Sequence, residues 1–273
     1  MNIENGKKLD VLLKGLEYLI RKRNSKETLS WSFKKKRHRA YSIFQRRVLQ
    51  PLKLSNSHSI SKESDTKIRP YLINGREYWA NSQSGQDLFA QLVFAEGISH
   101  CYLELGSSWP DRISNTYVLE KFKGWRGLSL DIDPRSVLEF NRIRRNIAHV
   151  ADATKLDYLD FCISNSFEPK FDYLSVDIDP SFQSYFALRN LMRDGVHFSI
   201  ITFEHDKYRS GPLVQLASFL LLSRAGYVRV ARDIQAKGFG KYEDWWAAKN
   251  SFLVDELKKI EADVILIRQA LQV

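Results

Sequence analysis

The sequence predicts an α/β protein with a doubly wound, mostly parallel seven-stranded sheet and a basic, helical N-terminal extension. Three observations carry this. Residues 1–70 hold 18 Lys and Arg against 6 Asp and Glu, whereas residues 71–273 hold 24 against 26, so the excess positive charge belongs to an extension on a nearly neutral domain. From residue 84 onward, short apolar runs alternate with amphipathic stretches, the pattern of strands buried on both faces and joined by helices. Five of those apolar runs end in an acidic or polar group, where ligands bind in such sheets. The predicted organisation is an extension over 1–70, a main domain over 71–250 and a C-terminal helix over 251–273.

In the extension, Leu9, Leu12, Leu13, Leu16, Leu19 and Ile20 recur at helical spacing and predict an amphipathic helix. A basic run, Lys34-Lys35-Lys36-Arg37-His38-Arg39, lies among Trp31, Phe33, Tyr41 and Phe44, and Ser55 to Ser64 reads as linker. Such a run suits an anionic surface, whether membrane, nucleic acid or phosphorylated glycan, and equally suits a solvated helix face. No apolar run approaches the roughly 18 residues of a membrane span. Met1 to Asp10 has no apolar signal core, and two cysteines, Cys101 and Cys162, make no disulfide framework. A cytoplasmic protein is expected, peripheral to a membrane if the extension binds one.

The main domain reads helix at 85–96, strand at 99–105, helix at 113–122, strand at 127–131, helix at 135–146 and a short strand at 148–151. It continues with helix at 156–165, strand at 171–177, helix at 182–191, strand at 197–204 and helix at 212–225, and closes with strands near 227–233 and 245–248. Leu253 to Leu271 reads as one last helix. The strand ends carry Glu104 and Gly106, then Asp131 and Asp133, Asp152, Asp177 and Asp179, and finally Glu204, His205 and Asp206. One strand-end carboxylate is a common helix cap, the reading preferred for Asp133 before Pro134. A succession of five points to a shared ligand site.

These residues resemble class I S-adenosylmethionine-dependent methyltransferases, and within them the FkbM-type family, over roughly residues 80–248. The resemblance rests on Ser82-Gln83-Ser84-Gly85-Gln86-Asp87, Leu103-Glu104-Leu105-Gly106, Ile113-Ser114-Asn115-Thr116-Tyr117, Gly124-Trp125-Arg126-Gly127-Leu128, Asp131-Ile132-Asp133-Pro134 and the Asp177/Asp179 strand end. The chain departs from the usual glycine-rich first loop, having Ser107-Ser108-Trp109-Pro110 after Gly106. The resemblance implies a Rossmann-like methyltransferase that binds S-adenosylmethionine. Asp131, followed by Ile132, takes the ribose hydroxyls, and Gly106 allows close backbone approach. Glu104 takes the ammonium group, Ser114 and Asn115 the carboxylate, and Asp152 with Ala153 the adenine amino group. Gln83 and Gln86 either touch the cofactor or fix the preceding segment.

For the acceptor, resemblance to the TylF-like sugar O-methyltransferases implies Mg²⁺ held by Asp177, Glu204 and His205, with Asp179 as base. A metal-free alternative makes His205 the general base. Tyr242-Glu243-Asp244-Trp245-Trp246 reads either as a carbohydrate platform or as core tryptophans. The function expected is O-methylation of a sugar hydroxyl on a glycan or glycosylated small molecule. The alternatives are a nucleic-acid methyltransferase with a basic N-terminal arm and a non-catalytic partner-binding domain. Against the former, Asp177-Ile178-Asp179-Pro180 lacks the Asn/Asp-Pro-Pro-aromatic motif of base-amine methyltransferases.

Overall fold

The computed structural model describes residues 10–22, 68–94, 96–236 and 240–271. The chain divides into two compact units, Met1–Asp65 and Thr66–Val273. In the first, residues 10–22 form helix α1, with Leu13 and Ile20 buried and Leu12 and Leu19 exposed. The basic run and the Ser-rich linker lie outside the described residues.

The second unit opens with a hairpin of β1 (Arg69–Ile73) and β2 (Arg76–Ala80). Asn74 and Gly75 both have positive φ at its turn, as a tight hairpin loop requires. No strand is expected here from the sequence pattern, and the domain boundary expected at 70/71 falls inside β1.

There follow α2 (Gln86–Val93), β3 (Cys101–Leu105), α3 (Tyr117–Lys123), β4 (Arg126–Asp131), α4 (Pro134–Ile143), β5 (Ile147–Val150) and α5 (Tyr158–Ser164). Next come β6 (Lys170–Val176), α6 (Ser181–Arg193), β7 (His197–Glu204), a short α7 (Lys207–Ser210), α8 (Leu213–Arg224), β8 (Tyr227–Ile234), β9 (Glu243–Ala248) and α9 (Val254–Leu271). The main sheet has seven strands in the order β5-β4-β3-β6-β7-β9-β8. The first five are mutually parallel, and β9 runs antiparallel to both neighbours. The chain winds outward from β3 to β5, then returns to lay β6 on the other side of β3. The switch point, where doubly wound sheets bind ligands, therefore lies between the carboxyl ends of β3 and β6.

The two faces of the sheet differ. One presents Leu103, Leu105, Leu128, Leu130, Leu174, Val176, Ile201 and Phe203, all buried, and is covered in part by α5 and α8 through Phe161 against His149 and Phe219 against Trp246. The other carries aromatic core residues, Tyr102, Tyr173 and Trp245, that cluster with Leu88 and Phe89 of α2, Leu119 of α3 and Val264 and Ile267 of α9. Phe89 stacks on Trp245 with ring centroids 4.7 Å apart. Across this second face runs a polar row, Ser129, Glu104, Ser175 and Thr202, paired in register on four adjacent strands. Buried polar groups need partners, and these have them: Ser129 donates to Glu104 (2.8 Å), Asn115 to Ser175 (2.9 Å), and the Tyr173 and Thr202 hydroxyls pair at 2.8 Å.

Candidate active site at the carboxyl edge of the sheet

Gly106 leaves β3 with φ +90°, and a Cβ there would lie 1.8 Å from the Asp177 carbonyl oxygen. The glycine is thus required by the approach of the β6 end at the switch point. Its expected role, closeness to a ligand, is taken first by the protein's own backbone. Gly106 and Ser107 both donate their N–H to the Leu130 carbonyl, at 2.8 and 3.1 Å.

The loop that follows lacks the expected glycines and is held by side chains instead. Arg144, at the end of α4, is buried and acts as its hub. It donates to the Pro110 carbonyl (2.8 Å), Glu120 (2.7 Å), the Tyr102 hydroxyl (3.0 Å) and the Thr116 hydroxyl (3.0 Å). Asn81 adds two bonds, donating to the Asp111 carbonyl (3.2 Å) and accepting from the Ser114 N–H (2.9 Å). Between them Ile113 is held at φ +51°, a conformation that a β-branched residue adopts only when its surroundings impose it.

This scaffold redefines two expected ligand groups. Ser114 accepts from the N–H groups of Thr116 (3.3 Å) and Tyr117 (3.1 Å), so its hydroxyl caps the start of α3. Asn115 is buried and spends its amide on Ser175. Neither side chain is turned out to a ligand. In their place the loop holds the Ser107 hydroxyl, which is buried without a partner; no motif marked it.

Asp131 stands at the end of β4. One carboxylate oxygen accepts from the Ser108 N–H and the other from the Asp133 N–H, each at 2.8 Å. Each oxygen can accept a second bond, so the group retains capacity for a diol. Ile132 beside it is 72% exposed, an apolar wall at the cleft. Asp133 caps α4 through the Arg135 N–H at 3.0 Å, as preferred from Pro134. Asp152 is committed locally, accepting from the Thr154 N–H and hydroxyl (3.0 and 2.6 Å) and pairing with Lys155 (2.8 Å). Burial pushes its carboxyl up, but Lys155 and Thr154 outweigh this and hold it below the usual range. The adjoining Ala153 is buried, and its carbonyl accepts from Tyr158 (2.7 Å). Gln86 is occupied inside, accepting from the Ser84 N–H and donating to Glu243, both at 2.9 Å, while Gln83 is exposed.

Glu104 is buried in the polar row, and desolvation pushes its carboxyl up to about 7 despite Arg144 and Ser129.

At the ends of β6 and β7, Asp177 and Glu204 come together. Glu204 is pushed well above the ordinary range by burial and then by the charge of Asp177; Asp177, whose side chain stays exposed at this edge, is raised by desolvation and by Asp179 and Asp206, against the lowering hydrogen bond it shares with Glu204. Two carboxylates so close share a proton at neutral pH. Asp206, left-handed at φ +47°, joins them with one carboxylate oxygen buried and unpartnered. Arg209 bridges the other oxygen of Asp206 (3.0 Å) to the exposed Asp179 (3.1 Å).

His205 goes the other way. Successive residues at a strand end face opposite sides, and His205 is fully buried behind the sheet. Its Nδ1 accepts from the Lys207 N–H (3.2 Å), which leaves Nε2–H to face Asp244 at 3.3 Å. The expected set of Asp177, Glu204 and His205 therefore does not converge, and His205 cannot reach an acceptor as base. Among the described residues the group whose ligand atoms do converge is His205, Asp233 and Asp244. Its interior already holds the Gln215 amide and the Arg229 guanidinium, 2.9–3.1 Å from the carboxylates, and donors so placed occupy the ligand positions of a cation. Neither set fits Mg²⁺. Trp245 and Trp246 are fully buried, the core alternative for the aromatic pair.

No family model and no curated protein matches the chain. Solved structures similar to it include human Methyltransferase-like protein 13 in complex with SAH, at 15% identity over 68% of this chain and 90% of that one, TM-score 0.43. The O-methyltransferase from Bacillus cereus in complex with SAH is 17% identical over 61% of this chain and 81% of that one, TM-score 0.41. The N-terminal domain of EvdMO1, in the presence of SAH and D-fucose, is 14% identical over 66% and 90%, TM-score 0.42. The doubly wound, mostly parallel architecture itself is read from the strand order. No described helix is long and apolar enough to cross a membrane.

Proposed function

We propose that the protein is an S-adenosylmethionine-dependent O-methyltransferase, of the FkbM-type within its class, that acts on a hydroxyl of a carbohydrate-like acceptor. One observation carries this: at the switch point the β4 end offers a carboxylate with spare acceptor capacity beside an exposed Ile132, and the β6 and β7 ends offer a proton-sharing carboxyl pair. The first suits a ribose diol and an adenine face; the second suits a hydroxyl that must lose its proton.

In this reading Asp131 accepts from the ribose hydroxyls and Ile132 packs on the adenine. Ser107 and Glu104 meet the amino-acid end. S-adenosylmethionine, when bound, supplies the electrophilic methyl group. The chain orients the acceptor and takes its proton, which passes to the carboxylate of Asp177 while Glu204 keeps the proton it already holds. A raised carboxyl is a better-matched base than an ordinary one, which favours Asp177, hydrogen-bonded to Glu204, over Asp179, which is paired with Arg209.

The test is calorimetric. S-adenosylhomocysteine binds the wild type, and Asp131→Ala weakens binding by roughly 100-fold, the loss of two charge-assisted hydrogen bonds. Unchanged affinity would remove Asp131 from the cofactor site.

A further inference from the structure

A cavity of about 280 Å³ opens at the end of β8, lined by Ser84, Arg232, Asp233, Lys241 and Arg268 among others. It lies on the same edge of the sheet as the carboxyl pair, because β8 runs parallel to β7 with β9 between them. Three cations face one carboxylate, which leaves a surplus of positive charge. Asp233 organises the cluster. Its Oδ2 lies 3.5 Å from Arg232 Nε and 3.7 Å from Lys241 Nζ, while Oδ1 accepts from Gln215 (2.9 Å) and Lys207 (3.3 Å). Irregular pairing between β8 and β9 at this point, with Asp233 at φ +57°, turns the strand out of regular register, as bulges do where they re-aim side chains. Arg268 of α9 closes one wall by donating to the Arg232 carbonyl at 2.7 Å.

The cavity is joined to the candidate active site. Ser84 donates to the Gln235 carbonyl (3.1 Å) and accepts from the Tyr242 hydroxyl (2.6 Å). Tyr242 precedes Glu243, which stands opposite Glu204 in the sheet register.

We infer that this cavity binds a phosphate monoester carried by the acceptor, so that the substrate is a phosphorylated, hydroxyl-bearing small molecule. Two guanidinium groups and an ammonium around one small concavity match a tetrahedral dianion. A neutral sugar makes no use of the surplus charge, and a divalent cation is repelled by it. The placement on the acceptor rests on the methyltransferase reading; the affinity for phosphate does not.

The experiment titrates orthophosphate, glucose 6-phosphate and glucose into the full chain by calorimetry at fixed ionic strength. S-adenosylhomocysteine is titrated in parallel. Orthophosphate and the ester bind and glucose does not, with the ester tighter if the cavity serves an acceptor and orthophosphate tighter if it serves free phosphate, which would overturn the acceptor role. Lys241→Gln, an exposed position whose change leaves the fold intact, weakens both by about tenfold, as loss of one charge-assisted contact should. Arg268→Gln weakens them at least as much. Affinity for S-adenosylhomocysteine stays unmoved in both variants. Absence of saturable phosphate binding, or equal affinity in Lys241→Gln, would overturn the inference, as would an oligonucleotide that competes far better than the ester. Failure of S-adenosylhomocysteine to bind while phosphate binding persists would instead overturn the methyltransferase reading alone.

Discussion

Arg144 is the residue whose removal should cost the main domain most for a single polar change. It is buried with its partner Glu120, side chains 1% and 5% exposed. Arg144→Met keeps the length and the apolar contact with Phe140, over which the guanidinium now lies at 4.6 Å. It leaves Glu120 as a buried carboxylate without its cation, and it strips donors from the Pro110 carbonyl and from the Thr116 and Tyr102 hydroxyls. Breaking a buried pair from one side costs about 3–5 kcal/mol, a large share of the roughly 5–15 kcal/mol that holds a domain together. At about 2–4 °C per kcal/mol for a domain of this size, Tm should fall by roughly 10 °C. Urea unfolding followed by tryptophan fluorescence measures the loss. A second change separates charge from packing: Glu120→Gln in the Arg144→Met background removes the stranded charge and should recover about 1–3 kcal/mol. The loop from 107 to 116 loses its anchor in both variants, so S-adenosylhomocysteine affinity should stay low even where stability returns. A loss under about 1 kcal/mol, or no recovery in the double variant, would refute the hub role.

Gly106→Ala forces a Cβ against the Asp177 carbonyl and should cost roughly 3 kcal/mol or more; a variant as stable as wild type by urea unfolding contradicts the geometry. His205→Gln should lower Tm but leave the pH–rate profile of methyl transfer where it was, whereas Glu204→Gln should shift that profile; the reverse pattern restores histidine as base. Methyl transfer should persist in excess chelator, and its loss, restored by Mg²⁺, would return a metal to the carboxylate edge. Deleting residues 1–65 should leave a folded unit that binds S-adenosylhomocysteine, checked by circular dichroism and calorimetry. Stability should fall as pH rises through neutrality. Burial lifts Asp87 to about 6, Glu104 to about 7 and Glu243 to about 8, so their contributions are whole below the unfolded carboxyl range and are lost as pH climbs through these values; stability that rises between about pH 5 and 9 would contradict this.

The alternation of strands and helices was legible because the central strands β3, β4, β6 and β7 are buried on both faces and helices such as α4 and α6 turn one apolar side inward. The hairpin at 69–80 was missed although Asn74-Gly75 between two β-rich runs is its usual signal, because the alternation was read only from residue 84 onward and the stretch just after the extension was given no element. The site was legible only in part. Strand ends showed which residues reach the carboxyl edge, but periodicity does not say which way a side chain turns after the strand stops. Hence Glu204 and His205, adjacent in sequence, were grouped, and the sheet separates them onto opposite faces. Ser114 and Asn115 carried the right chemistry for a ligand, yet the chain consumes both in closing the loop. Arg144 gave no signal at all: an arginine at a helix end ordinarily points to water, and its burial depends on partners contributed by β3, α3 and the loop after β3.

The loss of loop glycines and the gain of that arginine belong together. A glycine-rich turn holds a cofactor with bare backbone and needs no side-chain support, because its shape follows from the φ values glycine tolerates. Ser107-Ser108-Trp109-Pro110 has no such freedom, and Pro110 further restricts the residue before it. Its shape must therefore be imposed from outside, by Arg144 on the Pro110 carbonyl, Asn81 on Asp111 and Ser114, and Asp131 on the Ser108 N–H. The last of these couples loop and ribose site through one carboxylate. Asp131 fixes the loop by its contact with Ser108 while keeping a lone pair on each oxygen for a diol. Substitution of Asp131 should consequently disturb both ends of a bound cofactor, whereas a change at Ile132, which touches no loop donor, should weaken only the adenine end.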